Sequence, residues 1–145
     1  MKMRLIPIVG AMTALGISSW LLVRRWRARK DFGGLRLKEQ APGVLYDTVA
    51  REWRCKVASR DHLGSAQAVW EDYRNAVARV PGVVRVQRLC CGTCLDFRIL
   101  VTMRAHAYPR WRNCDHEPEA AFLGALQTSP GITDVRSQLL SIMVQ

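Results

Sequence analysis

The sequence predicts an α+β protein: a single N-terminal transmembrane helix followed by a ferredoxin-like βαββαβ domain, with a four-stranded antiparallel sheet and two helices on one face. Three observations predict it. Leu5 to Val23 is one uninterrupted apolar stretch, followed at once by Arg24, Arg25, Arg27, Arg29 and Lys30. Strict apolar alternation marks segments around Trp53 and Phe97, with helical periodicity between them. A Pro-Gly pair closes each predicted helix and opens a strand, at Pro81-Gly82 and again at Pro130-Gly131.

The apolar run holds about 19 residues without a charge, close to the roughly 20 that a helix rising 1.5 Å per residue needs to cross a bilayer core. A cleaved secretory signal has a shorter core and a small-residue cleavage site, whereas this run ends in Trp20, Leu21, Leu22, Val23 and arginines. A mitochondrial presequence is Arg-rich and acid-free, and no acidic residue precedes Asp31, but the amphipathic pattern is missing. Residues Leu5, Gly10, Gly16, Trp20, Val23, Arg24 and Arg25 are therefore assigned to a membrane anchor. Gly10 and Gly16, with Ala11, Ala14, Ser18 and Ser19, permit close packing against another helix. The basic cluster after the span places the C-terminal domain on the cytoplasmic or matrix side.

The 145 residues carry 22 basic and 12 acidic side chains, a net charge of +10. Much of the excess lies beside the predicted span, where Trp26 among arginines reads as an interfacial belt for anionic lipid headgroups. Arg51, Arg54, Arg85, Arg88, Arg98 and Arg104 alternate with apolar residues, the pattern of a solvated sheet face. No aromatic stripe of the RNA-recognition kind accompanies the charge, so nucleic acid is not expected as a partner.

The expected organisation is residues 1–30 as anchor with basic flank, 31–43 as a Gly- and Pro-containing linker, and 44–145 as one soluble domain. Val49, Trp53, Cys55 and Val57 alternate with Ala50, Glu52, Arg54 and Lys56, which predicts the first strand. Ser65 offers an N-cap, and Ala66, Val69, Tyr73, Val77 and Val80 recur at helical spacing until Pro81. Val83 to Leu89 extends again, Cys90 to Cys94 turns, and Leu95, Phe97, Ile99, Val101 and Met103 alternate as the third strand. Pro118, Phe122, Leu123 and Leu126 make the second helix; Val135, Leu139, Ile142 and Val144 lie on the last strand. The paired Pro-Gly stops suggest two similar halves, and right-handed crossovers then give the strand order 4-1-3-2.

The chemistry-bearing residues are sparse. Cys91 and Cys94 form a C-x-x-C, and Cys114 with His116 adds a C-x-H, on paper four ligands for zinc with Cys55 as a further companion. The hairpin thiols lie before the third strand and the C-x-H after it, so the loop from Ala105 to Glu117 would have to fold back. Plain thiols are the competing reading. A redox role lacks the helix N-terminus that lowers a thiol pKa. No hydrolytic constellation is present, and no catalytic residue or required cofactor is expected. Asp115, Glu117 and Glu119 read as charges dressing the second helix's N-terminus. Trp111 between Arg110 and Arg112 is the candidate contact anchor toward a partner.

The stretches Trp53-Arg54-Cys55-Lys56, Val86 through Cys90-Cys91-Gly92-Thr93-Cys94 to Phe97, and Pro118-Glu119 through Phe122-Leu123 to Pro130-Gly131-Ile132 resemble small lineage-specific accessory subunits of protist mitochondrial respiratory complexes. That resemblance implies the inner mitochondrial membrane and a structural role. The expected function is a non-catalytic single-pass accessory subunit whose partners are other subunits of a membrane complex. The alternative is a membrane-tethered metal- or thiol-dependent binding protein using the Cys90 to Cys94 cluster.

Overall fold

The computed structural model describes residues 37–143, all within the compact unit Leu35–Gln145. Its elements are β1 (Lys38–Ala41), β2 (Val44–Val57), α1 (Asp61–Ala78), β3 (Val83–Cys91), β4 (Asp96–Arg104), α2 (Tyr108–Arg112), α3 (Glu119–Thr128) and β5 (Ile132–Met143). Among the described residues this is a five-stranded antiparallel sheet with three helices, which corrects the four strands and two helices expected of the soluble domain.

The long strand β2 organises the sheet. Val44 to Val57 is rich in β-branched and aromatic residues, and its inward set Val49, Trp53, Cys55 and Val57 is buried. Antiparallel pairing joins β2 to β4 through Trp53↔Ile99 and to β5 through Trp53↔Ser137, and joins β4 to β3 through Val101↔Val86. Hydrophobic positions Ala66, Trp70 and Val77 of α1 fall on one helical stripe and are buried. Phe122 of α3 is the hub: its ring centroid lies 5.2 Å from Trp53, 5.8 Å from Trp70 and 5.6 Å from Tyr73. Trp111 of α2 meets Trp53 edge-on at 6.1 Å, so all three helices lie against the sheet face that carries Trp53.

The extra elements lie where hydrophobic periodicity is silent. Strand β1, in the segment expected to be linker, has four exposed residues and no alternation. It forms because Pro42-Gly43 turns the chain back: Gly43 takes φ +78° and its N–H donates to Glu39 Oε1 at 3.0 Å. Helix α2, in the segment expected to be loop, is a single short stretch set off by Pro109 near its start. Helix α1 begins at Asp61, a turn before Ser65, with Asp61 placing negative charge at its first turn and Ser59 Oγ meeting His62 Nδ1 at 2.9 Å.

The expected anchor, Leu5, Gly10, Gly16, Trp20, Val23, Arg24 and Arg25, lies outside the described residues. Among the described residues, no helix is long and apolar enough to cross a membrane. The expected fold class is corrected in its strands and helices; its transmembrane helix lies outside the described residues.

The Pro-Gly echo has a backbone cause. Gly82 and Gly131 both adopt positive φ, +90° and +73°, as each chain segment leaves a helix for a strand. A Cβ at Gly131 would fall 2.1 Å from the His62 ring. Gly131→Ala is expected to lower stability by about 2 kcal/mol, combining the left-handed penalty with displacement of His62. A urea melt with unchanged slope reads it.

Candidate functional site

At its centre β2 turns Arg51 toward the helices, in phase with Val49 and Trp53. Its guanidinium grips Glu119 at the start of α3 through two bonds, Nε to Oε2 at 2.7 Å and Nη2 to Oε1 at 2.6 Å. Nη2 also donates to Ser137 Oγ at 2.9 Å, and Trp53 Nε1 donates to Glu119 Oε2 at 2.6 Å. Glu119 is only 8 % exposed. A paired carboxylate so deep is tolerable because three donors saturate it; the N-terminus of α3 adds a favourable field. These two residues correct two expectations: Arg51 is not on a solvated face, and Glu119 does not merely dress a helix end.

Above this pair the chain from α2 to α3 folds into a polar, aromatic cap. Asp115 and His116 take left-handed φ values of +50° and +59°, a conformation that costs most residues about 1 kcal/mol. The His116 N–H bonds back to Trp111 O at 3.1 Å. These bends turn the imidazole inward, where Nε2 meets the Tyr108 hydroxyl at 2.8 Å and the ring stands 5.3 Å from the Trp111 indole. Tyr108 also faces Arg51 and helps hold that guanidinium charged. In the neutral ring whose Nε2 is the unprotonated nitrogen, the Tyr108 hydroxyl donates to it.

The charge states follow. Burial by itself would raise the Glu119 pKa, but hydrogen bonds from Arg51 and Trp53 and the Arg51 charge overcome it and hold the carboxyl below its ordinary 4.5. Arg51 is in turn driven further toward the charged form by its bond to Glu119. His116 is pushed below its ordinary 6.5, first by burial and then by the Arg51 charge, against the opposing pull of Glu119 and Asp115. Its ring is neutral at neutral pH.

Both depressed values make acid destabilising. The folded state favours neutral His116, so its contribution is full above pH 6.5 and drains as pH falls toward the folded pKa. Glu119 contributes fully above pH 4.5, and that contribution drains as pH falls through its folded value. Urea unfolding across this range is expected to show stability already declining below pH 6.5. In His116→Gln only the lower limb should remain.

A cleft of about 360 Å³ borders the cap, lined by Val80, Pro81, Arg110, Trp111, Cys114 and Glu117 among others. Trp111 lines it; His116 meets the same indole at 5.3 Å but does not line the cleft. The indole is 4 % exposed and donates to Glu117 O at 2.8 Å, so it anchors the interior rather than a partner; Arg112 remains exposed beside it, and so does Arg110.

The expected metal set is dispersed. Cys91 and Cys94 form a disulfide across the β3–β4 turn. Cys55 is fully buried, and burial, aided by Asp96 and Cys90, pushes its thiol up to about 11, which leaves it protonated. Cys114 faces the cleft while His116 is turned away to Tyr108. Among the described residues no group of three or more His, Cys, Asp or Glu side chains could hold a metal ion.

The opposite sheet face also departs from a plain solvated surface. Asp96 and Glu52 are 3 % and 2 % exposed there. Arg98 bonds Asp96 and approaches Glu52 at 3.3 Å, while Arg54 and Lys56 stand 3.5 Å from Asp96. Burial raises the Asp96 pKa, yet Arg98, Lys56 and Arg54 together bring it below its ordinary 3.8. Arg104 pairs with Asp47 at 2.5 Å.

No family model and no curated protein matches the chain. Its fold is similar to the crystal structure of SnoaB, a cofactor-independent oxygenase from Streptomyces nogalater, with a TM-score of 0.50 and 17% identity over 68% of this chain and 96% of SnoaB. A point mutant of SnoaB aligns at TM-score 0.47 and 18% identity, over 66% of this chain and 93% of the mutant. The similarity is one of fold. The expected non-catalytic accessory subunit of a respiratory membrane complex is corrected on this finding alone: the fold likeness is to SnoaB, an oxygenase. The expected single-pass placement in an inner mitochondrial membrane has no support among the described residues, where no helix is long and apolar enough to cross a membrane.

Proposed function

We propose that this domain is a cofactor-independent enzyme that deprotonates an electron-rich hydroxylated aromatic compound and lets the resulting anion react with dioxygen. One observation carries the reading: His116, a base held neutral by burial and by Arg51, is hydrogen-bonded to Tyr108, and both rings meet Trp111, whose indole borders an adjoining cleft that neither of them lines. In oxygenation without a cofactor the ionised ring is itself the reductant of O₂, so the protein has only to bind the ring and take its proton. The Tyr108 oxygen accepts that proton as its own hydrogen passes to His116 Nε2, a relay that general base catalysis makes worth about 10²–10⁴-fold. Arg51 and Glu119 hold the relay in place beneath. The apolar side chains of Val80 and Pro81 suit a flat ring, and Arg110 suits its developing negative charge. The likeness of fold to SnoaB supports dioxygen as the co-substrate.

Oxygen uptake by the full chain with a panel of hydroxylated naphthalenes and anthracenes, run with a chelator present throughout, tests the proposal. Uptake that scales with protein concentration is expected for at least one ring. Uptake at the protein-free rate for every ring would overturn it.

A further inference from the structure

Away from that cleft, β3 is an edge strand. Among the described residues it pairs only with β4, and it exposes Val84 (63 %) and Leu89 (47 %). An unpaired row of backbone donors and acceptors is a template for another strand, and no proline interrupts Val83–Cys91. Alongside runs a groove of about 270 Å³ between α1 and β3, lined by Trp70, Arg74, Asn75, Ala78, Val86 and Arg88.

The charge of this edge is one-sided. Arg85 and Arg88 on β3 and Arg79 at the end of α1 are exposed and make no ion pair among the described residues, whereas the arginines at 51, 54, 98 and 104 are each matched to an acid. Arg74 meets Glu71 at 2.7 Å, but both are about half exposed, and such surface pairs yield readily.

We propose that the β3 edge binds an extended acidic segment of a partner protein as an added strand. The segment's backbone pairs with β3; alternate side chains enter the groove over Val86 and the rim of Trp70, and its carboxylates meet Arg74 and Arg88. A second copy of this chain is disfavoured, since pairing β3 with β3 sets Arg85 and Arg88 against like charges. Nucleic acid is disfavoured because the groove's one aromatic, Trp70, is 6 % exposed and offers no stacking face.

The full chain is titrated into a fluorescein-labelled peptide alternating Glu and Val, at fixed ionic strength. Saturable binding is expected, weakened at least about tenfold in R74E/R88E and less in the milder R88Q, with hydrogen exchange across Val83–Cys91 slowed at least about tenfold in the complex. Circular dichroism verifies that the variants, altered only at exposed side chains, remain folded. The proposal falls if the peptide does not bind or if a Lys-Val peptide binds as well. It falls equally if the R74E/R88E and R88Q variants bind like wild type, if β3 exchange is unchanged, or if an oligothymidine binds more tightly.

Discussion

Glu119→Ala is expected to destabilise the fold by about 3–5 kcal/mol, the range seen when one partner of a buried ion pair is removed. The magnitude comes from what is left behind. Arg51 would keep a positive charge in a site where its side chain is only 16 % exposed, with Ser137 Oγ as its one remaining neutral acceptor, and the Trp53 N–H would lose its partner inside the core. A donor of each kind left without an acceptor costs its full desolvation. Removing both members of the pair with apolar replacements, R51M/E119L, should recover most of the loss, leaving chiefly the unpaired Trp53 donor. Chemical unfolding of the two variants beside wild type measures both. A double variant as unstable as Glu119→Ala would mean that the pair is not the cause.

His116→Gln is expected to reduce kcat/KM for oxygen uptake by about 10²–10⁴-fold while leaving the fold intact. Glutamine retains a hydrogen-bonding partner for Tyr108 and a similar volume, so the loss isolates basicity from packing. Tyr108→Phe should cause a loss of the same order, since it removes the atom that receives the proton. Because the two act as one relay, the double variant should lose scarcely more than either single. Independent, multiplying losses would place Tyr108 and His116 in separate roles. If KM rose and kcat did not change, the pair would bind the ring without touching its proton.

Much of the sheet was legible because its buried face obeys a period of two. Val49, Trp53, Cys55 and Val57 announce β2, as Phe97, Ile99, Val101 and Met103 announce β4, and all eight are buried. The same rule contained the site, unread. Arg51 is in phase with Val49 and Trp53, so strict alternation puts it on the helix side; grouping it with Arg54, three residues on, joined opposite faces of one strand. Glu119 precedes Phe122 by three residues and Leu126 by seven, which places it on the buried stripe of α3. Polar residues in phase with a core are candidates for a buried pair.

Other parts carry no such signal. Strand β1 is too short and too polar to show a period, and is defined by the turn at Gly43 and its pairing with β2. The inward turn of His116 depends on consecutive left-handed residues within Asn113-Cys114-Asp115-His116, a polar run with no hydrophobic pattern. Spacing alone therefore paired His116 with Cys114 as ligands, although the backbone sends one side chain to Tyr108 and the other to the cleft. Trp111 between two arginines had the composition of a contact residue, yet its neighbours Trp53, Tyr108 and His116 enclose it.

The central claim is that His116 is a neutral base facing Tyr108. A pH titration of the ¹⁵N-labelled imidazole by NMR tests it most directly. The account predicts a pKa below 6.5, with Nε2 the unprotonated nitrogen at neutral pH and its signal moved by Tyr108→Phe. An imidazole still charged at pH 7, or one whose titration and Nε2 signal are the same in Tyr108→Phe as in wild type, would contradict it.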